Sequence, residues 1–330
     1  MKKQDFYRYI KSHIGQYIPD LESVEIEPVR KNNGTFLDGF MGKQAGSNVS
    51  PVIYLEQYYE KVAKGEFTMD EAVAEIANTY KSHCTTEYND IGKSFVNFDF
   101  VRDKIIMKCL NIERNEELLQ QIPHTEKEDL AFVYNVCLDA NTDGQANILI
   151  RNEHMKWWDV TAEEIHELAV ENSKRILPVT VRSMNNVIKA EFGEDPFMSE
   201  PYFDMYVVSN RYYTNGAAAI FYSNILAEIA EAEQRDVIVL PSSIHEVLVI
   251  PYDEGMNMEA LAQMVQTVNR EEVLKEEILS DHVYKYQAKS REFKLADVTL
   301  EQLKMERQKR KEEAQRQEPE KSVIISFPRI

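Results

Sequence analysis

The side chains best suited to chemistry lie together in one short polar segment, residues 242–246. This segment separates two apolar runs, 236–240 and 247–250, and contains Ser242, Ser243, His245 and Glu246. Serine, histidine and glutamate are the groups that nucleophilic catalysis uses, and a loop at strand ends is a frequent place for a site. Catalysis also needs these groups to converge, whereas neighbours on an extended chain point to opposite faces.

The surrounding sequence favours a turn over a catalytic centre here. Neither serine lies in a G-x-S-x-G motif, and His245-Glu246 lacks the second histidine of H-E-x-x-H. We therefore predict a turn whose serines cap backbone groups, and we assign no catalytic residue. The candidates for ligand binding are the four polar residues of this segment and one residue just after an earlier apolar run: Ser242, Ser243, His245, Glu246 and Asn210.

A second polar segment, Asp139 to Asn147, begins like the calcium-binding loop of an EF-hand. It has oxygen ligands at positions 1, 3 and 5 and a glycine at position 6, but position 12, which must be an acid, is Ile150. The flanking runs also have the alternation of strands, so the segment predicts a hairpin loop. The histidines form no i, i+4 pair and the cysteines no C-x-x-C pair. We predict no metal and no cofactor.

Composition limits the class of protein. The chain of 330 residues is 43% hydrophobic and has a formal charge of −18, from 38 basic and 56 acidic residues. Such a charge repels phosphate backbones, so we expect no direct binding of nucleic acid. Three widely spaced cysteines fit a reducing compartment. No run approaches the roughly 18 apolar residues of a membrane span, and we predict a cytoplasmic protein without membrane contact.

The elements that must position the polar segment form the best-defined part of the chain. The stretch 203–252 is predicted as strand, helix (Gly216 to Arg235), strand, strand. We predict an α+β fold with a mixed or antiparallel sheet centred on residues 203–252 and helices packed against it. The helix predicted for Met256 to Val268 packs beside this sheet.

The amino-terminal half predicts further hairpins and helices. Turn and strand patterns predict hairpins at 22–41, with Asn33-Gly34 at the tip, and at 130–150. Helices are predicted from Pro51 to Lys64, after the capping boxes at Thr68 and Thr161, and from Met184 to Phe192. The run 105–110 suits either the end of a helix or a strand.

Three regions follow from these elements. We predict an amino-terminal α+β region at 1–195, a central core at 196–300, and a charged helical linker with an apolar tail at 301–330. An apolar tail beyond a charged linker needs a surface to dock on. We therefore expect a protein partner, or self-association, through residues 322–330.

Several segments together give the chain a family likeness. They are Lys31-Asn32-Asn33-Gly34, residues 46–51 with Tyr58-Tyr59, residues 148–153, Glu171-Asn172, Leu177-Pro178 and residues 240–246. Through them, residues 5–290 resemble an uncharacterised bacterial family of unknown function common in gut Clostridia. Residues 160–255 are more distantly similar to YtpQ-type proteins, also uncharacterised. The resemblance implies a cytoplasmic bacterial protein with an α+β fold, and supplies no reaction, cofactor or substrate.

These observations leave three hypotheses for function. The first is a non-enzymatic binding or adaptor protein, because no catalytic constellation is complete and the tail suits docking. The second is an enzyme whose site is assembled from distant segments around residues 242–246. The third is an acidic host-interaction protein that binds a nucleic-acid-handling enzyme, for which exposed carboxylates spaced like phosphates would be required.

Overall fold

Three antiparallel sheets and twelve helices make up the described part of the chain. The computed structural model describes residues 1–44, 50–83, 91–141, 144–184 and 205–317. Every strand pairing within these residues is antiparallel. The prediction of an α+β fold is confirmed.

Sheet 1 and three helices enclose the amino-terminal core. The strands, in spatial order, are β1 (Leu21–Arg30), β2 (Phe36–Gln44) and β3 (Val52–Tyr54); the helices are α1 (Lys3–His13), α2 (Glu56–Ala63) and α3 (Met69–His83). The predicted hairpin and the capping box at Thr68 are confirmed. The helix predicted to start at Pro51 is wrong at its beginning, because the β-branched and aromatic run 52–54 pairs with β2 instead.

Sheet 2 lies in the middle of the chain. Its strands are β4 (Ile105–Asn111), β5 (His124–Lys127), β6 (Leu130–Asn141) and β7 (Gly144–Leu149), with β4 along one edge of β6 and both β5 and β7 along the other. Its helices are α4 (Ile91–Phe95), α5 (Phe98–Val101), α6 (Glu116–Leu119), α7 (Asn152–Trp158) and α8 (Ala162–Ile176). Helix α8, opened by the capping box at Thr161, packs on one face of the sheet. The hairpin predicted at 130–150 is confirmed.

Sheet 3 has six strands and is the sheet predicted around residues 203–252. In spatial order they are β13 (Glu292–Leu295), β12 (Tyr284–Gln287), β10 (Val237–Pro241), β11 (Val247–Pro251), β9 (Tyr206–Asn210) and β8 (Val179–Ser183). Helices cover both faces, since Val237 and Val239 belong to the core that contains α9 (Ala219–Tyr222) and α10 (Ile225–Glu233), whereas Ile238 and Leu240 pack with α11 (Met258–Glu271).

Two predictions in this region are wrong in detail. The single helix predicted for 216–235 is broken, because Ser223 is extended and its hydroxyl caps the start of α10 by accepting from the Ile225 N–H. Residues 179–183, for which no strand is predicted, form the edge strand β8, paired with β9.

The charged carboxyl-terminal segment forms a helix, α12 (Leu300–Gln317). Leu303 is buried, and Arg307, Arg310 and Lys311 approach the carboxylates of Glu113 and Glu116. The helix predicted for 184–192, the boundary predicted between residues 195 and 196 and the tail 322–330 lie outside the described residues, apart from Met184.

Two buried polar side chains join the sheets. Asp129, at the turn between β5 and β6, accepts hydrogen bonds from Asn111, Ser280 and Tyr284 at 2.6–3.1 Å, which ties sheet 2 to sheet 3. Asn33, at the tip of the first hairpin, is 6% exposed and has a φ of 57°. Buried polar groups cost free energy unless they are hydrogen-bonded, and both of these are.

The amide of Asn33 connects three distant segments. Its Nδ2 donates to the carbonyl oxygens of Lys275 and Ile278, both at 2.8 Å. Its Oδ1 accepts from Asn115 Nδ2, and its backbone N–H donates to Asn115 Oδ1, again at 2.8 Å. The first hairpin is thereby fixed to sheet 2 and to the segment leading into sheet 3. We name this set of hydrogen bonds the Asn33 latch.

We expect Asn33→Gly to lower the free energy of unfolding by about 2–4 kcal/mol, because it leaves two buried carbonyl groups without their donor. Glycine keeps the left-handed backbone, so the loss reports the side chain. Gln234→Gly is the matched control, since Gln234 also has a positive φ, of 55°, but an exposed side chain. Urea unfolding measures both. Equal effects of the two substitutions would contradict a latch.

Candidate functional site

His245 is held between a backbone donor and a carboxylate. The N–H of Asn215 donates to its Nδ1 at 3.1 Å, so the neutral ring carries its proton on Nε2. That Nε2 lies 3.3 Å from Oε1 of Glu277, which comes from the segment fixed by the Asn33 latch. Both side chains are about a third exposed, at 30% and 33%. Both ring nitrogens are thus engaged, and the remaining lone pairs of the Glu277 carboxylate can accept a hydrogen bond or a proton from a ligand.

The other predicted candidates shape the turn around His245. Ser243 Oγ accepts from the His245 N–H at 3.0 Å, and the Ser243 N–H donates to the Glu246 carbonyl at 3.2 Å. Asn210 is fully buried, with its amide bonded to the Thr214 carbonyl and the Tyr212 N–H. Ser242 and Glu246 are half-buried in the same turn. Their role in ligand binding stays a prediction.

Gly216 allows this turn to pack closely against sheet 3. A Cβ atom at this position would overlap Ser209 Oγ and lie 2.5 Å from the Asn210 nitrogen and 2.6 Å from the His245 carbonyl oxygen. Ser209 also donates to that carbonyl at 2.7 Å. Only a residue without a side chain fits, so glycine here fixes the position of His245.

His245 and Glu277 line a polar cavity of about 580 Å³ where the three sheets meet. We name it the central cavity. Its floor is one face of sheet 2, its walls are the 214–215 and 244–245 segments and Glu276-Glu277, and the first hairpin covers it with Arg30, Lys31 and Asn32. A volume of several hundred Å³ suits a small molecule.

Strand register explains which side chains form the floor. Lys108 pairs with Val133, Asn135 pairs with Leu149, and Cys137 pairs with Asn147. Because alternate residues of a strand share a face, these side chains lie on one face of the sheet. The opposite face packs on α8, where Ser173 Oγ accepts from the Met107 N–H. The floor of the cavity therefore contains Lys108 together with the amides of Asn135 and Asn147.

Lys108 is the most unusual group in the central cavity. It forms no hydrogen bond or ion pair with any residue that the structure describes. Burial lowers the pKa of Lys108 to about 8, and the charge of Lys31 contributes to the lowering. Burial raises the pKa of Cys137 to about 11, so this thiol is neutral and supplies no counter-charge. A cation without a counter-ion is thus held at the cavity floor.

Two amide oxygens on the same floor also lack partners. The Oδ1 atoms of Asn135 and Asn147 are buried and accept no hydrogen bond from the described residues. Asn135 is only 6% exposed, and a buried acceptor of this kind normally has a hydrogen-bond partner. Nearby, Gln145 accepts from Asn147 Nδ2 and donates to the Thr214 carbonyl, which orients these amides. The floor offers one positive charge and two free acceptors.

Sequence reasoning identified His245 but missed Lys108, Asn135, Asn147 and Glu277. A signal was present, because Lys108 interrupts the apolar run 105–110 and Asn135 interrupts the run 131–138. A polar residue inside a buried strand is more informative than a polar residue in a loop.

The fold and the central cavity define an α+β protein with a polar chamber at the junction of three antiparallel sheets. A family model described as a family of unknown function, DUF5688, matches residues 3–288, and the chain belongs to this family. No curated protein and no solved structure matches the chain. Of the helices in the described ranges, none has the length and apolar character needed to cross a membrane. The likeness to YtpQ-type proteins and an origin in gut Clostridia stay predictions.

We expect Gly216→Ala to lower the free energy of unfolding by about 1–3 kcal/mol, the usual cost of overpacking. The added methyl group overlaps atoms of Ser209 and of the turn that carries His245. Gly255→Ala is the control, because a Cβ there meets no atom within 4 Å. Urea unfolding measures the stability of both variants. A fully stable Gly216→Ala protein would show that the turn can move away freely.

Lys108→Met should stabilise the protein at neutral pH. An unfolded lysine titrates near 10.5 but Lys108 in the fold near 8, so between these pH values the unfolded state binds more protons. The charged lysine therefore penalises folding fully below pH 8, and the penalty fades as the pH rises toward 10.5. We expect Lys108→Met to raise the free energy of unfolding by on the order of 2–3 kcal/mol at pH 7, and by less at pH 10.

Urea unfolding at the two pH values checks this expectation. Lys81→Met is the control, because Lys81 is an exposed helical lysine and its replacement should give the same small change at both pH values. A Lys108→Met protein that is equally destabilised at pH 7 and pH 10 would mean that Lys108 has a stabilising partner.

Proposed function

We propose that this chain is a binding protein for a small polar anion, held in the central cavity. The observation that carries the proposal is Lys108, a half-buried cation that has neither ion pair nor hydrogen bond among the described residues. A carboxylate or phosphate group on the ligand would bind this ammonium in a charge-assisted hydrogen bond. Such a site supports the first hypothesis from the sequence, that the chain is a binding protein.

The rest of the cavity limits the ligand further. The free Oδ1 atoms of Asn135 and Asn147 accept hydrogen bonds, so the ligand must also carry donors such as hydroxyl groups. The carboxylates of Glu276 and Glu277 repel a second anionic group on their side. These features support a hydroxylated acid with one anionic end and a polar body.

Replacing Lys108 should change ligand binding and stability in opposite directions, which distinguishes a binding residue from a structural one. We expect Lys108→Met to weaken ligand binding by at least tenfold, the worth of one charge-assisted hydrogen bond, while the protein becomes more stable. The full chain and its Lys108→Met and Lys81→Met variants are incubated with a cell extract of small metabolites and desalted. Mass spectrometry then identifies and quantifies the molecules retained.

An acid retained by the wild-type and Lys81→Met proteins but not by Lys108→Met supports the proposal. Its affinity is then measured by calorimetry with the pure compound. Equal retention by Lys108→Met, or retention of cations and neutral molecules alone, would end the role of Lys108 as an anion anchor.

His245 beside Glu277 favours an enzyme as the second candidate function. The pair lies on the wall of the cavity that contains Lys108, so a bound acid would meet a proton donor or acceptor. Mass spectrometry of the retained ligand over time separates the two functions. A ligand consumed by the wild type but left intact by His245→Gln indicates catalysis, whereas a ligand unchanged by both indicates binding alone.

The adaptor role of residues 322–330 stays a prediction, because this tail lies outside the described residues. The role as an acidic host-interaction protein also stays a prediction. Cytoplasmic location stays a prediction that rests on the cysteine pattern and the lack of a long apolar run. The absence of direct nucleic-acid binding stays a prediction that rests on the formal charge of −18.

A further inference from the structure

A second polar cleft lies beneath α12, apart from the central cavity. Two cavities of about 440 and 350 Å³ share the walls Arg114, Asp281, His282, Leu303 and Arg310. Arg270 of α11 lines the first cavity and Arg307 of α12 the second. We name the combined space the arginine cleft. Helix α12 supplies two of its four arginines and lies beyond residue 288, where the family match ends.

Two arginines of the cleft share one carboxylate. Arg307 Nε lies 3.7 Å and Arg310 Nη2 lies 3.2 Å from Oε2 of Glu113. One carboxylate cannot neutralise two guanidinium groups, which are always charged. The Nε of Arg307 is also buried without a hydrogen-bond acceptor in the described part of the chain. A positive charge and a directed donor therefore remain for a ligand.

The carboxylates deeper in the cleft are already engaged. Asp281 accepts from Arg114 at 2.5 Å and from Asn269 at 2.9 Å. Asp129, at the back of the second cavity, accepts the three hydrogen bonds that join sheets 2 and 3. The acid on α12 that lines the cleft, Glu306, is exposed to solvent. Asp281 therefore orients Arg114, whereas Arg307 and Arg310 form their ion pairs within the described residues with Glu113.

His282 adds an oriented donor to the same cleft. Its Nδ1 lies 2.8 Å from Oδ2 of the buried Asp297, which leaves Nε2 without a partner among the described residues. Burial alone would lower the pKa of His282, but the hydrogen bond and charge of Asp297 outweigh it and the pKa is raised. The charged ring is therefore stabilised relative to a free imidazole, and in that form Nε2–H is a second donor.

We propose that the arginine cleft binds the dianionic phosphate group of a small phosphate monoester. Its oxygens would accept from the guanidinium groups of Arg307 and Arg310 and from Nε2–H of His282. Planar guanidinium donors fit phosphate oxygens in pairs, and the single positive charge that Glu113 leaves uncompensated on Arg307 and Arg310 attracts the anion. This site is independent of the central cavity and its ligand.

Calorimetry of the full chain with glycerol 3-phosphate and with inorganic phosphate tests the proposal. We expect saturable binding of both, not displaced by equimolar acetate. The double variant Arg307→Gln/Arg310→Gln should bind at least tenfold more weakly. Arg235→Gln is the control, because Arg235 forms an exposed ion pair with Asp253 at another surface; its binding should equal that of the wild type.

Two further variants keep the test decisive if the double variant unfolds. Arg307→Lys keeps the charge but lacks Nε–H, so we expect a folded protein with weaker binding. His282→Gln should also weaken binding. The proposal is overturned if the wild-type chain shows no saturable binding of either probe at millimolar concentration. It is also overturned if Arg307→Lys and His282→Gln both bind as the wild type does.

Discussion

The buried amide of Asn33 is the contact on which the arrangement of this protein depends. Four hydrogen bonds at 2.8 Å join the tip of the first hairpin to Asn115 and to the carbonyl groups of Lys275 and Ile278. The hairpin provides the cover of the central cavity, and the segment it reaches provides Glu276 and Glu277. Since an amide can donate and accept at once, one side chain satisfies groups from both partners. The cavity is closed by the same contact that joins the sheets.

The chemistry of the cavity arises from what the fold leaves unsatisfied. Asp129 and Asn33 are buried and fully hydrogen-bonded, as structural polar groups usually are. The Oδ1 atoms of Asn135 and Asn147 are buried without partners among the described residues, and the half-buried Lys108 has none either. Groups that cost stability in this way are typical of functional sites. The candidate site thus has polar groups without partners, whereas the polar groups that connect the sheets are hydrogen-bonded.

Local signals in the sequence predicted much of the fold. The capping boxes at Thr68 and Thr161 and the turn at Asn33-Gly34 act over a few residues, so they were found correctly. The edge strand β8 was missed because its pairing with β9 depends on a segment more than twenty residues away. Likewise, His245 was recognised as a reactive type, but Glu277 beside it comes from another segment. Lys108 was missed because its environment results from strand register and from the hairpin above it.

The Asn33 latch connects residues that are far apart along the chain, and this separation affects the order in which the structure forms. Asn33 and Ile278 are separated by 245 residues, and contacts of such separation form late because the intervening chain must first be ordered. During synthesis the first hairpin emerges long before its acceptors do. We therefore expect the central cavity to close only after residues 275–278 have been synthesised and can accept the hydrogen bonds of Asn33.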